Sequence, residues 1–188
     1  MIVEVTRLSS WSNVLNAARI TQRKPLLKKE PSIKFKKKII IAEHSPLRCL
    51  MFNIDLYNIP YYVSVHLCRH VHAQPFVSSA RPDIDPSQKE RSQQLKSDLV
   101  NMRIMLNAQE MINISKVRLC SKAEIETRKV WKEVVKKLSE IEPLLAEACV
   151  PSCIYRGLCP EYQSCGWNET DAYLNKYAKY LKTFDNHE

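Results

Sequence analysis

Three segments of the chain gather polar side chains where a packed core would exclude them: residues 43–48, 66–81 and 107–118. In the middle segment His66, Arg69 and His70 follow the i, i+3, i+4 spacing that puts side chains on one side of a helix end, and Ser79 and Arg81 follow after a short extended piece. Such a convergence of guanidinium, imidazole and hydroxyl groups suits an anion. The third segment places Asn107, Gln109, Asn113 and Arg118 among apolar residues. Amides that donate and accept, with one guanidinium, suit the edge of a planar heterocycle. Taken singly, each of these residues is more simply a solvated or capping group. A fourth group, Cys149, Cys153, Cys159 and Cys165, is separated by three, five and five residues around Pro151, Gly157, Pro160 and Gly166. That spacing belongs to loops and is not the usual CxxC pair, so thiols that are simply buried or reduced are the simpler reading, with a structural zinc held by the four as the alternative. His66 and His70 also stand at a metal-ligand spacing, with Cys68 and His72 close by, but the Glu of an HExxH motif is missing.

These groups need elements to position them. Residues 11–20 read as a helix, and residues 22–38, with Pro25, Pro31 and eight Lys or Arg residues, read as a solvated basic loop. From 48 to 57, Leu50, Phe52, Ile54 and Leu56 alternate with Asn53 and Asp55, the period-two pattern of a half-buried strand. Pro60 suits the first turn of a helix running to about His70, residues 76–79 suit a short strand, and Pro82, Asp83, Asp85 and Pro86 break the pattern. The apolar positions Met102, Leu106, Ile112 and Val117 predict a helix over 99–118. A further helix is expected over 124–149 from Val130, Val134, Leu138, Ile141 and Leu145, kinked at Pro143. Tyr173, Tyr177, Tyr180, Leu181 and Phe184 form a terminal stripe, and both stripes read as core or subunit packing. The expected class is α+β, a mainly antiparallel sheet with helices packed on it.

Composition narrows the function. A chain of 188 residues that is 45% hydrophobic is one compact domain, or one with a small appendage. Gly157 and Gly166 are its two glycines, which excludes a Walker-type phosphate loop and a GxGxxG dinucleotide turn, since each needs several. Seven cysteines are an odd number and too sparse for a secreted disulfide scaffold, so a reducing cytoplasm is expected. No apolar run approaches the roughly 20 residues of a membrane span, and residues 1–20 lack a signal-peptide pattern. The chain is therefore expected to remain in the cytoplasm where it is made, a host cytoplasm if the source is viral. A net charge of +9 admits phosphorylated ligands, nucleic acid and acidic lipid alike. Lys28, Lys29, Lys34, Lys36, Lys37 and Lys38 make a basic nucleic-acid-binding module the runner-up reading. Only Phe35 interleaves that strip, too little for a stacking platform.

Taken as an ordered set, the segments resemble the flavin-dependent thymidylate synthases. The family's hallmark is Arg-His-Arg, seven residues, then Ser, with Arg two positions on. Here Arg69-His70-Val71 is followed by seven residues and then Ser79-Ala80-Arg81. Ala17-Ala-Arg-Ile-Thr21 resembles the family's early Ala-Ala-Arg-Val-Ser, and His44-Ser-Pro resembles its His-x-Thr-Pro element. Asn107-Ala108, Asn113 and Arg118 stand at the spacing of its later Asn and Arg positions. The resemblance spans about residues 14–135. Val71 replaces the third hallmark position, Arg48 stands where Glu is common, and His66 stands where Gln is usual.

The resemblance implies reductive methylation of dUMP to dTMP, with methylenetetrahydrofolate as carbon donor, FAD as hydride carrier and NADPH as reductant. It implies that Thr21, Ser45, Arg69, His70, Asn107 and Asn113 contact FAD, while His66, Ser79, Arg81, Arg91 and Arg118 bind dUMP. Arg118 would be the catalytic residue that polarises the uracil ring. It further implies a homotetramer with active sites shared between subunits. Residues 1–148 would form the catalytic domain, with 149–188 a Cys-rich loop and C-terminal helix appended to it. A catalytically impaired nucleotide- or flavin-binding relative is the other alternative, and a basic nucleic-acid partner does not fit this reading.

Overall fold

The computed structural model describes residues 1–79, 81–84, 86–87 and 89–184, without the side chain of Arg91; Asp85 thus lies outside the described residues. Its centre is a four-stranded sheet of β1 (Ile2–Arg7), β2 (Met51–Pro60), β3 (Ala73–Val77) and β4 (Leu99–Asn107), in the spatial order β1, β2, β4, β3 with every neighbour antiparallel. Alternation sets one face inward. Phe52, Ile54 and Leu56 of β2 and Met102, Ile104 and Leu106 of β4 are buried, and Ile54 lies opposite Ile104 in register. On the outward face Arg103 forks onto Asp55 across the strands, with Nε to Oδ1 at 2.6 Å and Nη2 to Oδ2 at 2.8 Å.

The helices are α1 (Trp11–Ile20), α2 (Ile33–Ile41), α3 (Tyr61–Cys68), α4 (Ala108–Arg118), α5 (Ile125–Ile141), α6 (Pro143–Ala148), α7 (Ser152–Arg156) and α8 (Asp171–Phe184). α5 packs on β1, and α3 packs on β2, β3 and β4. Trp11, Trp131, Leu138, Tyr180 and Phe184 join the sheet's apolar face in one core, so α8 belongs to the same body as the sheet. Among the described residues no helix is long and apolar enough to cross a membrane.

Two expectations are corrected. Residues 99–107 form a strand rather than the first half of a helix, because Met102, Ile104 and Leu106 are two apart and all face inward. Met102 and Leu106 alone fit either period. The helix starts only at Ala108, where the Asn107 side chain accepts a hydrogen bond from the Glu110 N–H at 2.9 Å and caps it. The basic stretch is helical from Ile33 onward: Ser32 caps α2 by accepting from the Phe35 N–H, and Ile39 and Ile40 bury the apolar side beneath the lysines. The residues ahead of α1, which the hydrophobic pattern left unassigned, form β1, held by its ladder to β2.

Two breaks in the strands aim the functional segments. The β2 register to β4 shifts between Leu56 and Ile59, where Asn58 takes φ 55° and its N–H donates to Asn101 Oδ1 at 3.0 Å. This bulge turns the chain into Pro60, whose fixed φ suits the entry to α3. α3 ends at Cys68, with Arg69 as its C-cap and His70 following directly. The Asn107 cap likewise turns β4 directly into α4, which is buried along most of its length and ends at Arg118.

Candidate functional site

Arg118, at the last turn of α4, is locked between the two histidines of the middle segment. Its Nε–H donates to His70 Nε2 at 3.1 Å, and Nη2 donates to the His66 carbonyl at 2.5 Å. These bonds use two of its five N–H groups and fix the plane of the guanidinium. Burial, with repulsion from Arg69, lowers the Arg118 pKa, yet a guanidinium stays charged at neutral pH. Accepting from Arg118 leaves His70 Nε2 without a proton, so the neutral ring carries its proton on Nδ1, 3.8 Å from Glu110 Oε1. Burial first, then the charges of Arg118 and Arg69, lower the His70 pKa to about 4. His70 is therefore a neutral acceptor at physiological pH.

Beside this lock lies a cleft of about 300 Å³ lined by Glu43, Arg48, His72, Asn107, Gln109, Glu110 and Asn113. Every lining side chain is polar. Within it Asn113 Nδ2 donates to Glu110 Oε2 at 3.1 Å, Gln109 donates to Asn113 Oδ1 at 3.3 Å and to Glu43, and Lys116 Nζ reaches Glu43 Oε1 at 2.5 Å. Glu43 holds φ 46°, an uncommon conformation for a side-chain-bearing residue, and these two partners secure it there. A larger open groove of about 660 Å³ lies near the ends of β3 and β4 around Tyr61, Lys89, Lys96 and Asp98. It contains none of the residues singled out above, and its Lys89–Asp98 pair is satisfied internally at 2.9 Å. The smaller cleft, where amides and charges converge, is the better candidate.

The structure thus brings together Asn107, Gln109, Asn113, His66, His70 and Arg118, with Arg69 close enough to act on the charges of the last two. Ser45 opens the 3₁₀ turn Ser45–Cys49 that delivers Arg48 to the cleft. Thr21 sits at the C-terminal end of α1, its hydroxyl donating to the Ala18 carbonyl at 2.9 Å. Ser79 and Arg81 follow β3 on the surface, where Arg81 is forked onto Asp83 rather than turned toward Arg118. Arg91 begins a short 3₁₀ turn, and its side chain lies outside the described residues. Glu110, Glu124 and Thr127 contribute contacts that composition and spacing did not single out. Glu110 had one available signal, an acid three residues after an Asn, the spacing of a helix cap.

The candidate zinc set of Cys149, Cys153, Cys159 and Cys165 is not assembled among the described residues. Among the described residues no three metal-ligating side chains stand as a site. Cys149 is buried in the core beside Ser115, and burial pushes its thiol up to about 12 despite the Ser115 hydrogen bond. Cys153, Cys159 and Cys165 instead border a small hollow with Cys120, which follows α4.

No protein-family model and no curated protein matches the sequence. Solved structures do. The flavin-dependent thymidylate synthase ThyX from Helicobacter pylori complexed with FAD and dUMP is 16% identical, covers 80% of this chain and 100% of its own, and superposes with a TM-score of 0.65. A second Helicobacter pylori ThyX structure with FAD and dUMP is also 16% identical, over 80% of this chain and 99% of its own, at a TM-score of 0.68. A UMP/dUMP methylase, PolB from Streptomyces cacaoi bound with 5-Br dUMP, is 12% identical over 78% of this chain and 94% of its own, at 0.58. The chain has the fold of the flavin-dependent thymidylate synthases.

Proposed function

We propose that the protein is a flavin-dependent thymidylate synthase that methylates dUMP reductively to dTMP with methylenetetrahydrofolate, NADPH and FAD. In this reading it works as a homotetramer with shared active sites, and residues 1–148 carry the catalytic machinery. The observation that carries the reading is the fixed guanidinium of Arg118, beside an all-polar cleft, in a chain whose solved neighbours hold FAD and dUMP.

The donor set suits a flavin ring. Asn107 keeps its amide N–H groups while its oxygen caps α4, and Arg48 and His72 add charge and a further donor along the wall. FAD, when bound, supplies the hydride. Thr21, Ser45, Arg69, His70, Asn107 and Asn113 are assigned to hold it. His66, Ser79, Arg81 and Arg91 are assigned to dUMP, so Arg81 must leave Asp83 to reach a phosphate. Arg118 acts on the chemistry: the remaining N–H groups of a preoriented guanidinium stabilise the enolate-like form of the uracil ring, negative on the carbonyl oxygen, in which C5 is nucleophilic enough to attack the electrophilic carbon. His70, neutral and acting as acceptor, positions Arg118 without competing for the negative charge.

The test is binding. Protein purified from flavin-replete cells, or reconstituted with FAD, should show flavin absorbance and bind dUMP in equilibrium dialysis. Protein that takes up neither contradicts the proposal. Protein that binds both without turnover identifies the impaired relative, for which Val71, 85% exposed in place of a hallmark arginine, is the structural ground.

A further inference from the structure

His66 is held from behind by two residues outside the polar segments. Its Nδ1 lies 2.8 Å from Thr127 Oγ1, and the Thr127 hydroxyl is 2.9 Å from Glu124 Oε2. Glu124 caps α5, accepting also from the backbone N–H groups of Glu126 at 3.0 Å and Thr127 at 2.7 Å. Burial works against its charge, but these hydrogen bonds prevail and hold the carboxyl below its ordinary range. An ionised carboxylate only accepts, so the single hydroxyl proton of Thr127 goes to Glu124. The hydroxyl oxygen can then only accept from His66, and the proton on the imidazole must sit on Nδ1. Thr127 is fully buried, and the Tyr62 ring stands edge-on to the imidazole at 6.1 Å, so the ring has one orientation. With Nδ1 so engaged, no described residue hydrogen-bonds Nε2.

We propose that Glu124 and Thr127 are positioning residues that select the Nδ1–H tautomer whenever the His66 imidazole is uncharged, so that in this form His66 offers Nε2 to the nucleotide as a hydrogen-bond acceptor. The ligand half of this inference rests on the proposed dUMP site. It reverses the simplest role for an imidazole in place of an amide, that of a donor, and requires the ligand to present an O–H or N–H group there. A glutamine could serve either way round, whereas this histidine has its polarity chosen by the residues behind it. Phosphate oxygens, which only accept, are poor partners for that nitrogen.

The experiment is ¹⁵N NMR of the histidine rings in the intact protein, with dUMP dissociation constants measured in parallel for wild type, Thr127→Val and Thr127→Ser. Valine keeps the shape of threonine and removes the hydroxyl, and the His66 resonances are assigned with His66→Gln. The inference predicts protonated Nδ1 and bare Nε2 for His66 in wild type and Thr127→Ser. In Thr127→Val it predicts mixed tautomers and about tenfold weaker dUMP binding, the usual scale for one lost hydrogen bond. A protonated Nε2 in wild type, or a tautomer unmoved in Thr127→Val, overturns it. Wild-type protein that shows the Nδ1–H tautomer but does not bind dUMP refutes the nucleotide site and leaves the positioning role standing.

Discussion

The Nε–H of Arg118 is aimed at the bare Nε2 of His70, 3.1 Å away, so a cation is steered by a neutral imidazole rather than by a carboxylate. An acidic partner would have tied up the positive charge. This arrangement orients the guanidinium and leaves its charge available to a ligand.

That relationship has a pH signature. Because the folded-state pKa of His70 is lowered from 6.5 to about 4, between those values the unfolded chain binds a proton that the folded chain does not. Stability should therefore be level above pH 6.5 for this group and fall as the pH drops from 6.5 to about 4. The loss is at most about 3 kcal/mol, at 1.36 kcal/mol per pKa unit. Urea titrations at pH 7.5, 6, 5 and 4 measure it, and His70→Gln should flatten the same interval.

A second prediction concerns the junction of α5 and α6. Glu142 is buried, accepts from Trp11 Nε1 at 2.9 Å and pairs with Arg7, tying α1 and β1 to the long helix at Pro143. Glu142→Ala strands the indole N–H in the core and should cost about 1–3 kcal/mol, a drop in Tm of roughly 2–4 °C per kcal/mol for a chain of this size. Flavin uptake should be unchanged where the variant is folded.

Gly157 ends α7 at φ 74°, and a Cβ there would stand 2.7 Å from the Tyr177 hydroxyl oxygen. Gly157→Ala is accordingly expected to destabilise by about 1–2 kcal/mol, from left-handed strain and from the clash. Adding Tyr177→Phe removes the 2.7 Å contact and leaves the strain and the ring carbon at 3.2 Å, so thermal melts of the single and double variants should show a partial recovery.

Thiol reactivity provides a fourth. Cys165 is exposed, and the Ser121 hydroxyl and the Trp167 N–H lower its pKa, whereas burial raises that of Cys149 to about 12. Timed alkylation of the native protein read by mass spectrometry should label Cys165 early and Cys149 only on unfolding. Early labelling of Cys149 would contradict its place in the core.

Much of this arrangement was legible in the sequence where one period dominated. The alternation of Leu50, Phe52, Ile54 and Leu56 marked β2, and the stripe from Val130 to Leu145 with Pro143 marked α5, its break and α6. Residues 99–107 misled because Met102 and Leu106, four apart, satisfy helix and strand together; only Ile104 between them decides, and its weight comes from pairing with Ile54. The lysine run hid α2, since its apolar residues cluster at the far end, on Ile39 and Ile40. At the site, His66, His70 and Arg118 were visible as types and spacing. Their hydrogen-bond polarity was not, because it depends on Glu110, Glu124 and Thr127, brought in by α4 and α5 from 40 to 61 residues away. Cys149 was placed in a metal set by spacing alone, and its neighbour Ser115 in the core is what removes it.

The central claim is that Arg118 serves the chemical step. Tritium release from C5-labelled dUMP with methylenetetrahydrofolate, NADPH and FAD tests it most directly, comparing wild type with Arg118→Ala and Arg118→Lys. The charge on the uracil ring grows only near the transition state, so removing its partner should lower kcat far more than it weakens dUMP binding. The account predicts tritium release by wild type and a loss on the order of 10²–10³-fold in Arg118→Ala with bound FAD retained. Lysine should restore little, because a point charge does not reproduce the planar fork. Wild-type protein that binds FAD and dUMP but releases no tritium, or an Arg118→Ala variant that releases it at the wild-type rate, would contradict the claim.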